Sequence, residues 1–198
     1  MTDLTKRLRA GRTAPSPDTR PFVERATAEG LVDVAYATVD SPFGPLLVAV
    51  TPKGLVRLAY TDEGHDDVLD DLAARVSPRV LEVPVRLDGV RRDLEEYFAG
   101  RRRDFRTAID WSLTAGFGRR VLRATFAIPF GGVSTYREIA AAAGSPNGSR
   151  ATGNALGHNP IPIVVPCHRV LRTGGGLGGY TGGVDRKERL LRIEGVVL

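Results

Sequence analysis

The chain has 198 residues, 42% of them hydrophobic and 26% charged, with a formal net charge of +5. These values suit a folded globular protein with room for one large domain or two small ones. They exclude several classes. No apolar run approaches the roughly 20 residues of a membrane helix, and the start lacks the apolar stretch of a secretory signal, so the expected compartment is the cytoplasm. One cysteine, Cys167, excludes an internal disulfide and a multi-cysteine zinc site. Three scattered histidines, His65, His158 and His168, suggest no metal cluster.

Charge divides the chain. Residues 1–110 hold 17 Lys and Arg against 19 Asp and Glu, a net −2, whereas residues 111–198 hold 11 against 4, a net +7. The basic excess lies in the half that carries the cysteine. It fits a phosphate-backbone footprint, and it equally fits a solvated surface in an arginine-rich chain.

In chain order, residues 1–30 are polar, and "TAPSPDTRP" reads as part of a flexible leader. "VDVAYATVDSPFGPLLVAVTPKGLVRLAYTDE" shows short β-rich runs broken by Pro and Gly, the pattern of an antiparallel meander. "HDDVLDDLAARV" and "LDGVRRDLEEYFAG" carry apolar residues at helical spacing, and "GRRRDF" reads as a helix end with an extended exit. A boundary near residue 110 follows, giving units 31–110 and 111–198.

The second unit reads as mostly helical. "TAGFGRRVLRATFAIP" aligns Phe117, Val121, Leu122 and Phe126 on one helical face. "STYREIAAAAG" starts with Thr135 and has Glu138 three residues on, a capping box, and stops at Gly144. After "SPNG", a second short helix, "SRATGNALGHN", completes a pattern that fits a DNA-binding helix-turn-helix or an ordinary αα-hairpin. Its small residues Ala151, Gly153 and Ala155 allow close approach of the helix backbone, and Arg150 stands at its start.

Cys167 lies in "NPIPIVVPCHRV". A lone cysteine is commonly a small buried hydrophobe, and the apolar run before it agrees with that. Yet Pro166 breaks a strand, so the cysteine sits at a turn. His168 is adjacent and could take the thiol proton directly or through a water, with Glu194 as the carboxylate that orients its ring. By spacing alone both readings stand.

"NPIPIVVPCHRV" resembles the active-site signature of the O6-alkylguanine-DNA alkyltransferases, also called methylated-DNA–protein-cysteine methyltransferases. The likeness extends through "IPFGGVSTYREIA", "SRATGNALGHNP", "GGLGGYTGG" and "KERLLRIEG", in the family's order and spacing. It is strong over about residues 105–198 and weaker over 33–100.

The resemblance implies an α/β (α+β) chain. A small ribonuclease-H-like sheet with helices would come first, then a mostly helical domain with a helix-turn-helix. It implies that Cys167 is the alkyl acceptor, His168 its proton relay, Glu194 the holder of His168, and Asn159 the brace of the turn. Tyr136 would contact a flipped guanine, and the Val170 carbonyl with Gly179, Tyr180 and Thr181 would line the pocket. Arg150 would fill the gap left by the extruded base, with Thr135, Ala151 and Gly153 on the DNA-facing side. The implied partner is double-stranded DNA carrying O6-alkylguanine or O4-alkylthymine. No cofactor, metal or membrane is implied, and the protein would be a monomer, with cooperative assembly on DNA left open. Two other readings remain: a helix-turn-helix regulator that only binds DNA, and a multiple-turnover cysteine hydrolase. The chain departs from the family at Gly118, where glutamine is usual, and in its leader, which has no counterpart.

Overall fold

The computed structural model describes residues 20–197. Residues 20–31 belong to one unit, which holds helix α1 (Arg20–Ala28). Pro21 sits in its first turn, where its missing N–H costs nothing. Arg25 pairs with Glu29 one turn on, at 2.8 Å. The leader expected over 1–30 is thus helical over its last part, and its first 19 residues lie outside the described residues.

In the larger unit, β1 (Val34–Val39), β2 (Leu46–Thr51) and β3 (Gly54–Tyr60) form the expected antiparallel meander. A fourth strand, β4 (Val80–Glu82), adds in parallel beside β1, giving the order β3-β2-β1-β4. Sequence reading misses it, because three residues carry no periodicity of their own. Five of the six residues of β2 are buried, so both faces of the sheet are covered. Helix α2 (His65–Arg75) brings Val68 and Leu72 against Val34, Leu47, Ala49, Val56 and Ala59.

Helix α3 (Asp88–Phe98) buries Val90, Leu94 and Tyr97, spaced by four and three residues along one face. Its buried Asp93 accepts from the backbone N–H of Arg106 at 2.8 Å and of Thr107 at 3.2 Å, so the exit after Gly100 is clamped to the helix. The chain then reaches the free edge of β3. Leu55 N–H donates to the Ala108 carbonyl and Asp110 N–H to the Leu55 carbonyl, both at 2.8 Å. Gly54, at φ +133°, has the Ala108 carbonyl where a Cβ would stand, so no larger residue fits this turn.

Three helices follow: α4 (Gly116–Phe126), α5 (Tyr136–Ala142) and α6 (Ser149–Gly157), packed on one another. The apolar face of α4 is narrower than expected. Val121, Leu122 and Thr125 are buried, Phe117 is half-buried, and Phe126 is 42% exposed with its ring edge-on to Trp111. The capping box forms: Glu138 N–H donates to Thr135 Oγ1 at 3.2 Å and Thr135 N–H to Glu138 Oε2 at 2.8 Å. At its other end α5 closes in a Schellman motif. Gly144 at φ +80° donates to the Ala141 carbonyl, and Ser145 to that of Ala140. Gly118 faces α6 at Ala155, 4.0 Å from where its Cβ would lie, so the small residue keeps α4 and α6 in ordinary contact.

A two-stranded parallel ladder, β5 (Ser134–Thr135) with β6 (Val170–Leu171), ties the start of α5 to the residues just after Cys167. The last helix, α7 (Val184–Ile193), buries Leu190 and Leu191 and delivers Glu194 from its end. Among the described residues no helix is long and apolar enough to cross a membrane.

Candidate active site

The segment from Asn159 to Leu171 is buried without interruption. Three prolines, Pro160, Pro162 and Pro166, remove N–H donors and forbid a regular ladder. The remaining buried backbone groups must find local partners. Val165 N–H reaches the Ile161 carbonyl at 2.9 Å, and Cys167 N–H reaches that of Val165 at 2.8 Å. Ile163 is held at φ +73°, a conformation that costs a β-branched residue about 1–3 kcal/mol. A single 3-10 turn, Cys167–Arg169, then aims the cysteine.

Asn159 lies against the turn that carries the cysteine. Its Nδ2 donates to the Val165 carbonyl at 2.8 Å and to Cys167 Sγ at 3.1 Å, while its Oδ1 accepts from Ile161 N–H at 3.0 Å. Behind the cysteine, His168 Nε2 lies 2.8 Å from Glu194 Oε1, both side chains fully buried. The carboxylate can only accept, so Nε2 carries the hydrogen and Nδ1 presents a lone pair. Nδ1 has no protein partner, which leaves it free to take a proton.

In front of Cys167 lies a cavity of about 440 Å³. It brings together seven of the expected residues: Tyr136, Arg150, Gly153, Cys167, Gly179, Tyr180 and Thr181. Gly153 leaves room for the Tyr136 ring, whose carbons stand 3.7–3.8 Å from where a Cβ would lie. Thr181 Oγ1 donates to the Gly157 carbonyl at 3.1 Å, fastening the glycine-rich loop to the end of α6. The other expected residues lie elsewhere. Val170 is buried and does not line the cavity, and its carbonyl accepts from Lys187 Nζ at 2.6 Å. Thr135 is engaged as the α5 cap, and Ala151 is exposed on α6.

Comparison with known proteins decides what this arrangement is. A model described as 6-O-methylguanine DNA methyltransferase, ribonuclease-like domain, matches residues 34–111. A second, described as the DNA binding domain of the same protein, matches residues 116–196. The methylated-DNA–protein-cysteine methyltransferase of Mycolicibacterium paratuberculosis is 41% identical over 161 residues, covering 81% of this chain and 92% of that protein. The chain belongs to the methylated-DNA–protein-cysteine methyltransferase family.

The relationship reaches well beyond one genus. The Methanosarcina acetivorans methyltransferase is 39% identical, with 81% of this chain and 97% of that one covered. A solved structure of Mycobacterium tuberculosis OGT in complex with DNA superposes with a TM-score of 0.69 at 38% identity, covering 81% of this chain and 92% of that one.

Within the methyltransferase frame, four residues stand out that sequence reading assigned no role. Arg169 donates to both oxygens of Glu194, at 2.8 and 2.9 Å, and to the Ile128 carbonyl. Tyr97 Oη donates to Glu194 Oε1 at 2.7 Å. Tyr60 Oη lies 2.9 Å from Tyr180 Oη, and Lys187 is fully buried. Arg169 and Lys187 fall inside stretches that carry the family likeness, so their positions were a usable signal. Tyr97 and Tyr60 come from the first half of the chain and gave none.

Burial pushes the Cys167 thiol up to about 11, against the opposing Asn159 hydrogen bond and the charge of Lys187. Burial also pushes His168 below the ordinary histidine value, outweighing the Glu194 carboxylate, so the imidazole is neutral. For Glu194, burial alone would raise the value. The hydrogen bonds from His168 and Arg169 prevail and bring it to about 2. The resting site is therefore a neutral thiol beside a neutral imidazole backed by a fixed carboxylate.

Proposed function

We propose that the protein repairs DNA by flipping O6-alkylguanine, and O4-alkylthymine, out of the duplex and moving the alkyl group irreversibly onto Cys167. The observation that carries this reading is the chain's one cysteine at a 440 Å³ cavity, its sulfur held by Asn159 at 3.1 Å. Family membership supports the reaction type.

The steps follow from the geometry. An O6 alkyl group is stacked inside the duplex, so the nucleotide must be extruded. Arg150, exposed at the start of α6, fills the gap, and Gly153 and Ala151 let that helix approach the groove. The base enters between Tyr136 and the loop carrying Gly179, Tyr180 and Thr181. His168 Nδ1 takes the thiol proton, directly or through one water, and Glu194 stabilises the imidazolium. The sulfur attacks the alkyl carbon. An S–C bond forms, the C–O6 bond breaks, and the electron pair leaves with guanine, which takes up a proton. The thioether is stable and there is no second thiol, so each molecule acts once.

In this reading residues 31–110 support the site and residues 111–198 bind DNA and accept the alkyl group. The protein works as a monomer in the cytoplasm, and no step calls for a cofactor or metal. The test is a titration of the protein against duplex carrying one O6-methylguanine. Transfer should stop at one methyl group per protein, with the adduct on Cys167 in peptide mass spectrometry. Binding without transfer would mean a DNA-binding regulator, and continued turnover would mean a hydrolase.

A further inference from the structure

Tyr60 ends β3, in the first half of the chain, and is 2% exposed. The sheet fixes its place. Its backbone pairs with Leu46 of β2, and its N–H donates to Glu63 Oε1 at 2.9 Å. Glu63 in turn holds Arg57 at 2.6 Å. A buried phenol needs a partner for its hydroxyl. Tyr60 Oη finds one in Tyr180 Oη, 120 residues on, at 2.9 Å. Among the described residues this is the one hydrogen bond of the Tyr180 hydroxyl. Tyr180 lines the cavity in front of Cys167, with its ring edge-on to His168.

The same corner is closed from α7. The Arg186 guanidinium lies over the Tyr60 ring, 4.3 Å from its centre. It also pairs with Asp62, just beyond β3, at 2.8 Å and donates to the Gly182 carbonyl at 3.0 Å. At Gly182 a Cβ would stand 2.6 Å from the Tyr60 ring and 2.9 Å from that of Tyr180, so a side chain there would displace one of them.

We propose that Tyr60 is a positioning residue that sets the room for the alkyl group: through its hydroxyl, the sheet of the first half fixes the Tyr180 wall of the cavity. The inference rests on the alkyl-transfer reading. Burial raises both phenols above the ordinary tyrosine value, so neither ionises near neutral pH. Without the Tyr60 hydroxyl, that of Tyr180 loses its partner and turns toward solvent. The cavity then widens. A small alkyl group is held less well against the sulfur, and a bulky one is admitted.

Tyr60→Phe removes the hydroxyl and keeps the ring beneath Arg186. Single-turnover transfer is measured for wild type, Tyr60→Phe, Tyr180→Phe and the double variant on two duplexes, one carrying O6-methylguanine and one carrying O6-benzylguanine. Tyr60→Phe should raise the benzyl-to-methyl rate ratio about fivefold, the equivalent of one hydrogen bond of about 1 kcal/mol. Tyr180→Phe should raise it by a similar factor and the double variant no further, since both changes remove the same bond. A merely structural role would slow both substrates alike, so an unchanged ratio would overturn the proposal. A double variant whose shift is the product of the two single ones would also overturn it.

If Tyr60→Phe does not fold, judged by affinity for the lesion duplex, Arg186→Gln decides. It frees the outer face of the Tyr60 ring and should move the same ratio in the same direction by about twofold. No movement would overturn the proposal. Absence of transfer by the wild type would defeat the alkyl-transfer reading and this inference with it, whereas normal wild-type transfer with an unchanged ratio in the variants defeats the inference alone.

Discussion

Behind Cys167, residues 159–171 are buried without a break, and one carboxylate, Glu194, gathers Tyr97, His168 and Arg169 at 2.7–2.9 Å with the Gly131 N–H at 3.3 Å. Across the cavity, the stretch from Thr173 to Gly183 contains seven glycines. Gly174, Gly175, Gly178 and Gly183 have positive φ, and the loop is largely exposed, with bonds to the rest of the chain through Thr181 to Gly157, Tyr180 to Tyr60 and Gly179 to Tyr136 and Lys187. One wall is buried and densely bonded, the other glycine-rich and largely exposed. The difference matches two jobs. Proton transfer needs groups fixed in advance, whereas an alkylated base must be admitted from a duplex and then enclosed.

The largest break of this contrast is Cys167→Ser. Transfer should vanish and the mass adduct with it, while duplex affinity stays within about twofold, because affinity comes from phosphate contacts and the inserted helix. A competition binding assay alongside mass spectrometry checks both halves.

Next comes the fixed wall itself. His168→Ala and Glu194→Gln should each slow transfer near neutral pH, the histidine change at least as much. The double variant should be little worse than His168→Ala, since the pair acts as one unit. Alkaline pH should recover part of the loss, because solvent then removes the thiol proton. Glu194 also sets an acid limit on stability. Its folded value, about 2, lies below its unfolded one, so its contribution is complete above about pH 5 and is lost as pH falls toward 2. The shift corresponds to about 3 kcal/mol. Urea melts between pH 7 and 3 should show a steeper loss in wild type than in Glu194→Gln, which keeps the slope of the other lowered carboxylates, Asp33, Asp110 and Glu138.

A smaller effect is expected at the DNA-facing edge. Arg150→Ala should slow repair about tenfold to a hundredfold in duplex and far less in single strands, where no stack needs refilling. Equal losses on both substrates would make Arg150 a plain phosphate contact.

The mildest change probes the glycine-rich wall. At Gly178, φ is +68° and a Cβ would come within 2.7 Å of the Tyr136 hydroxyl. Gly178→Ala should weaken lesion binding several-fold, of order 1 kcal/mol. It should leave the iodoacetamide reactivity of Cys167 unchanged, since the wall behind the sulfur is untouched. Altered thiol reactivity would show that the two walls are coupled.

How much of this was readable in the sequence depended on whether the signal was local. The Thr135–Glu138 capping box, the stop at Gly144 and the turn at Pro166 are written in neighbouring residues, and each formed. The pairing of β4 with β1 joins residues more than forty apart, and no periodicity announces it. Glu194 and His168 could be paired through the family likeness. Tyr97, which donates to the same oxygen, lies 97 residues before Glu194. It looked like one more apolar position on an amphipathic helix. Lys187 sits in "DRKERLLRIEG", where charges ordinarily face solvent. Only packing reveals that this one does not. Phe126 errs the other way, an aromatic at the right spacing that the neighbouring helices do not cover.

The outer edge of β3 carries a last consequence. Its N–H and carbonyl groups are met at Leu55 by Ala108 and Asp110, and at Leu58 by the Pro160 carbonyl at 2.9 Å, in the very segment that leads to the cysteine. An unpaired edge strand is a template for adding strands from other molecules. Here the chain covers this edge with its own backbone, and the opposite edge, β4, is only three residues long. On the proposed single-turnover reading, each molecule waits in its folded form until its one lesion arrives. Closing that edge guards the waiting molecule against strand-by-strand aggregation with its own copies.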